Sequence, residues 1–264
     1  MGHHNRHFAG DPHALSGAWS PPTSLANFCE DDYAFTRYLA EFINALTNLA
    51  YVYFALRSMY GPGSRGLLAP KADSMSVSLL LLGIASFLYH GSLRQTLQFA
   101  DDLSMLGLAW SILHGILTLR NSPATARYIN MGLALVFPLF SVFYIWTGKI
   151  AYHTSAFTIM MVIIVARAHY LFHYVKPEFS EANRRAWRAR GTGALVAFLV
   201  GFILWNIDLE YCAELRKVRD RVGLPWAWLF ELHGWWHILT AIGASWFMDI
   251  VREMQQELVG EKEE

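Results

Sequence analysis

Long apolar stretches alternate with short polar breaks along this chain. Seven stretches stand out, at residues 39–57, 76–92, 102–119, 128–147, 151–172, 191–208 and 227–249. Most reach the length of roughly 20 residues that a helix needs to cross about 30 Å of hydrocarbon. The third, with "LSMLGLAWSILHGILTL", and the sixth, with "GALVAFLVGFILWNID", are nearly free of charge and carry the expectation most directly. The breaks "GPGSRGLLAPKADS", "RNSPATAR" and "KPEFSEANRRAWRARG" hold the glycines, prolines and arginines that end helices at an interface. The pattern predicts an all-α polytopic membrane protein, a seven-transmembrane-helix bundle over residues 38–250, with a lumenal tail at 1–37 and a cytosolic tail at 251–264.

Composition strengthens this reading. Hydrophobic residues make up 54% of the chain and charged residues 16%, against about a quarter charged in soluble domains. The formal net charge of +0 gives no argument for nucleic acid. The first 37 residues lack an apolar core of the signal-peptide kind, so the first helix is expected to act as its own signal. An odd number of spans puts the two ends on opposite sides. Loops after odd-numbered spans hold Arg57, Arg65, Lys71, Arg120, Arg127, Lys176, Arg184, Arg185, Arg188 and Arg190. The other side holds Arg94, Lys149 and the cluster Arg216, Lys217, Arg219 and Arg221, which counts against the bias. The balance places the C-terminus in the cytosol and the N-terminus in the lumen or exterior. The membrane expected is that of the endoplasmic reticulum or Golgi. The histidine-rich start "MGHHNRHFAGDPH" reads as an unstructured terminus and is given no role.

Ionisable groups inside such spans are costly and mark function. They are Glu41, His90, Asp101, Asp102, His114, Arg167, His169, Asp208, His233, His237 and Asp249. In "FELHGWWHIL", His233 and His237 stand four residues apart, on one helical face and close enough to share a metal ion, although such a pair can equally be satisfied by neighbouring polar groups. Topology brings a third histidine to the same membrane face: the second span ends at His90, where the third opens with Asp101 and the seventh with His233. Three imidazoles give the ligand number of a catalytic zinc, with one position left for water. Ser86 lies one turn before His90 on the same face, placed to touch that water or a developing oxyanion. Asp101 is the nearest carboxylate in chain terms to take a proton, and Asp102 is its rival. His114, Arg167 and His169 lie deeper or toward the other face and read as core or interface groups. The two cysteines, Cys29 and Cys212, fall on the same expected side, where an oxidising lumen permits a bond between them; two free thiols is the alternative.

Taken together, "SFLYH", "FADDLSM", "WNIDLEYC" and "FELHGWWHIL" resemble the alkaline ceramidases, membrane hydrolases of the superfamily that also holds the adiponectin and progestin receptors. The resemblance runs from about Asn27 to Asp249. It implies a zinc ion on His90, His233 and His237, with Ser86 and Asp101 as catalytic helpers. It also implies a calcium ion held by Asn27, the carbonyl of Phe28, Glu30, Asp32 and Glu41, and a bridge from Cys29 to Cys212 that fastens this stretch to the later helices. Asn27 stands where some relatives carry aspartate, and Asp32 where they carry asparagine, so the charge is unchanged. Read without the resemblance, "EDDY" is an acidic turn at a helix start. The expected activity is hydrolysis of the N-acyl bond of a ceramide to a sphingoid base and a fatty acid. A related seven-span receptor, with zinc structural or serving a residual hydrolysis, and a metal transporter are the alternatives.

Overall fold

The computed structural model describes residues 12–61, 66, 69–176 and 178–263. Most of the histidine-rich start, and Arg65, lie outside them. Among the described residues the structure is helical, with no strand. The helices are α1 (Phe42–Thr47), α2 (Leu49–Met59), α3 (Ser74–Ser92), α4 (Gln95–Thr118), α5 (Pro123–Thr147), α6 (Ile150–His173), α7 (Glu181–Glu210), α8 (Cys212–Val222) and α9 (Leu232–Glu263), with a 3-10 turn at Trp226–Phe230. Four of them, α3, α5, α6 and α7, are long and apolar enough to cross a membrane. Their outer surfaces agree: α5 exposes Met131, Leu135, Val136, Leu139, Val142 and Trp146, a pattern that water would penalise and hydrocarbon would not.

Several boundaries differ from the sequence pattern. The first apolar stretch is broken at Asn48 into α1 and α2. The Asn48 side chain donates to the Asn44 carbonyl at 2.8 Å, and its backbone N–H turns to Ala45 instead, at 3.2 Å. An amide competing for the i−4 carbonyl interrupts a helix in this way. Residues 181–190, which read as a polar break, form the first turns of α7. Glu181 pairs with Arg184 at 2.7 Å, and Trp187 is buried with its indole N–H on Glu253 at 2.7 Å. Asp101 was expected to open a helix, but α4 begins at Gln95 and holds Asp101 in its second turn. The last helix starts at Leu232 and runs through the expected tail to Glu263.

The chain forms two compact units. The first takes residues up to Asp101 with Ala194–Ala244; the second takes Asp102–Gly193 with Ser245–Glu264. In the first, α2 packs closely on α3: a Cβ on Gly83 would meet Val52 Cγ2 at 2.8 Å, so glycine permits the approach. In the second, Asp102 accepts from the Tyr144 hydroxyl at 2.5 Å, and His153 Nε2 bonds the Asp102 carbonyl at 3.0 Å. The sequence reading gave neither Tyr144 nor His153 a role.

Candidate metal centre

The first unit gathers the three histidines. His90 ends α3, and His233 and His237 occupy the first two turns of α9. Each offers a nitrogen within 4.8 Å of the others, and all three side chains are buried. They form a group that can hold a metal ion.

Two of the three are oriented from behind. His90 Nδ1 meets Glu41 Oε2 at 2.5 Å; an ionised carboxylate only accepts, so Nδ1 carries the proton and Nε2 keeps its lone pair. His237 Nδ1 meets Thr47 Oγ1 at 2.9 Å, and that hydroxyl lies within 3.0 Å of the Ile43 and Asn44 carbonyls. The hydroxyl donates to a carbonyl and accepts from Nδ1, which again leaves Nε2 for a ligand. His233 Nδ1 is buried with no hydrogen-bond partner. A desolvated nitrogen without a partner costs on the order of 1–3 kcal/mol unless something meets it. Three neutral imidazoles, two fixed in tautomer and one with an unsatisfied nitrogen, fit a zinc-type ion.

The stretch before α1 wraps this group. The Phe28 ring stacks on His233 at 3.6 Å and leans on His90 at 5.3 Å. Its backbone N–H lies 3.0 Å from Glu41 Oε1 and 2.8 Å from Asn27 Oδ1. Asn27 donates to Asp32 Oδ2 at 3.3 Å. Glu30 accepts from the N–H groups of Ile43 and Asn44, at 2.6 and 2.8 Å, and so caps α1. Asn27, Phe28, Glu30, Asp32 and Glu41, the residues expected to hold calcium, are thus buried together. Burial pushes the Glu30 carboxyl up to about 8; the two amides oppose the rise and the neighbouring Glu41 adds to it. Buried hard oxygens of this kind suit a divalent cation, which would favour the ionised carboxylates that burial disfavours.

Cys29 and Cys212 are disulfide-linked, with Cα atoms 5.2 Å apart. Three partners unassigned in the sequence reinforce the clasp. Asp208 accepts from the N–H of Cys29 at 3.0 Å and of His233 at 3.3 Å. Arg219 donates to the Cys29 carbonyl at 2.8 Å and pairs with Glu231, and Arg216 meets Asp31 at 2.8 Å. "WNID" marked Asp208 as unusual within a span, but α8 is short and charged and has no long apolar run to reveal it. Ser86 is buried one turn before His90, and Asp101 is buried on α4.

A model of the Ceramidase family matches residues 20–264. The chain belongs to the ceramidase family. Among curated relatives, it is 28% identical over 249 residues to the alkaline ceramidase YPC1 of Saccharomyces cerevisiae, covering 89% of this chain and 78% of that protein. It is 29% identical over 235 residues to alkaline ceramidase 3 of Mus musculus, with 86% and 82% covered. An alkaline ceramidase of Arabidopsis thaliana shares 24% over 247 residues, with 92% and 89% covered. The fragments around the three histidines all lie within the matched span of this ceramidase-family chain.

Proposed function

We propose that this chain is a zinc-dependent membrane amidase that hydrolyses the N-acyl bond of ceramides. The observation that carries the reading is the buried triad of His90, His233 and His237, with His90 and His237 oriented by Glu41 and Thr47, in a chain of the ceramidase family. The names of the relatives supply the substrate class, and the apolar helices suit a lipid substrate.

His90, His233 and His237 would hold the zinc. Bound there, zinc supplies the Lewis acidity that makes a water nucleophilic near neutral pH and polarises the amide carbonyl. Asp101 accepts the water's proton on its carboxylate and delivers it to the departing amine nitrogen. The Ser86 hydroxyl donates to the carbonyl oxygen as negative charge builds there. Water adds across the amide, giving a fatty acid and a sphingoid base, so the step needs no further reactant. Phe28, stacked on His233, shields that imidazole from bulk water.

Calcium would sit on Asn27, the Phe28 carbonyl, Glu30, Asp32 and Glu41, tying residues 27–32 to α1. In the membrane, α1 with α2, α4 and α9 would add three crossings to the four apolar helices, giving the seven-span bundle of residues 38–250. Arg216 and Arg219 pair with Asp31 and Glu231, which removes them from the count of orienting charges. With that cluster partly neutralised, the remaining bias supports a lumenal N-terminus and a cytosolic C-terminus, in endoplasmic reticulum or Golgi.

The test is product analysis from a mixed ceramide panel with purified protein. Sphingoid base and fatty acid released in equal amounts support the amidase. A zinc-loaded, folded sample that releases neither favours the receptor of the wider superfamily and overturns the proposal.

A further inference from the structure

The run "VGLPWAWLF", residues 222–230, joins α8 to the histidine-bearing α9. Leu224, Trp226 and Leu229 are 59%, 62% and 51% exposed, and Val222 and Trp228 are also exposed. No residue of the 3-10 turn is buried. An apolar run this continuous is rarely turned to water. Backbone bonds fold it into a turn: Ala227 N–H donates to the Gly223 carbonyl at 2.9 Å, Trp228 N–H to Pro225 at 3.2 Å and Glu231 N–H to Trp228 at 3.3 Å. Non-helical backbone does not face the hydrocarbon core, so an exposed apolar turn of this kind belongs at the headgroup level, where water meets its remaining N–H and C=O groups.

Fixed points hold the turn in place. The Trp228 ring lies 5.7 Å from Phe35 and 6.4 Å from Phe42, and the Trp235 indole N–H donates to the Leu229 carbonyl at 3.1 Å. On α8, Arg216 and Arg219 are engaged with Asp31 and Glu231, whereas Lys217 and Arg221 are exposed beside the apolar run. Exposed tryptophans flanked by cations match the headgroup zone, where indole rings settle and phosphodiesters meet Lys and Arg.

We propose that residues 222–230 form an interfacial anchor, a turn seated in the phospholipid leaflet at the end of α9 that carries His233, with Lys217 and Arg221 at the phosphate level. The anchor fixes the depth at which α9 presents its histidines. It goes beyond ceramide hydrolysis and stands whether or not that activity is found.

Single cysteines replace Trp226, Leu229 or, as a water-facing reference, Glu214, in the full chain with its native disulfide. Each is labelled with an environment-sensitive fluorophore and placed in phosphatidylcholine liposomes. Probes at 226 and 229 are expected to emit to the blue of the probe at 214, to resist iodide, and to be quenched by lipids bearing a nitroxide near the glycerol backbone. Iodide quenching equal to that at 214 would overturn the anchor. Shielding from both quenchers would also overturn it, because a protein partner would then cover the turn. Two positions are used so that misfolding of Trp226→Cys leaves Leu229→Cys to decide.

Discussion

Glu41 lies at the junction of two proposed ion sites, because one oxygen meets His90 and the other the Phe28 amide. Its removal therefore acts on zinc as well as calcium, and a calcium test needs a different residue. Glu41→Gln should weaken zinc retention about 10–100-fold, the usual cost of losing a partner behind a ligand; competition with a chelator reads it, and unchanged retention would remove Glu41 from the zinc site. Asp101→Asn should keep its zinc while turnover falls about 10²–10⁴-fold, since the amide cannot take the proton. Full activity in that variant would move the proton transfer elsewhere. His233 and His237 were legible because an i, i+4 pair is local, and His90 because topology brought it to the same face. Thr47 was not legible: it lies 190 positions from His237, and nothing local marks a threonine as the group that fixes that imidazole's tautomer.

Among the elements, α8 explains most of what the sequence pattern left out. Its cations looked like evidence against the orientation, whereas Arg219 is buried against Glu231 and the Cys29 carbonyl. Arg219→Ala leaves a buried carboxyl without its cation and should cost about 3–5 kcal/mol of stability, read as a lower midpoint of thermal unfolding. A midpoint equal to the parent's would make the pair dispensable. The length of an apolar run finds lipid-facing helices such as α5 and misses a short, charged amphipathic helix such as α8. It also runs straight through Asn48, where one amide side chain ends α1, and stops short of residues 181–190, where ion pairs and Trp187 sustain a helix that composition assigns to a loop.

For the whole molecule, the disulfide ties the stretch before α1 to α8, and Asp208 of α7 joins Cys29 to the start of α9, which carries His233 and His237. Calcium added to chelator-treated protein should raise the unfolding midpoint, by about 2.7 kcal/mol of stability at one hundred times its dissociation constant. Asp32→Ala, which removes an oxygen ligand that has no place among the proposed zinc residues, should blunt that response and leave zinc content unchanged. Identical responses in variant and parent would leave "EDDY" as an acidic turn before α1. The central claim is that the three histidines hold the metal on which hydrolysis depends. Its most direct test is zinc content measured together with ceramide hydrolysis as zinc is returned to chelated protein. The account predicts that activity rises in proportion to bound zinc and saturates at one ion per chain, with His233→Ala gaining neither. Full hydrolysis by zinc-free protein, or a His233→Ala variant that binds zinc and turns over like the parent, would contradict it.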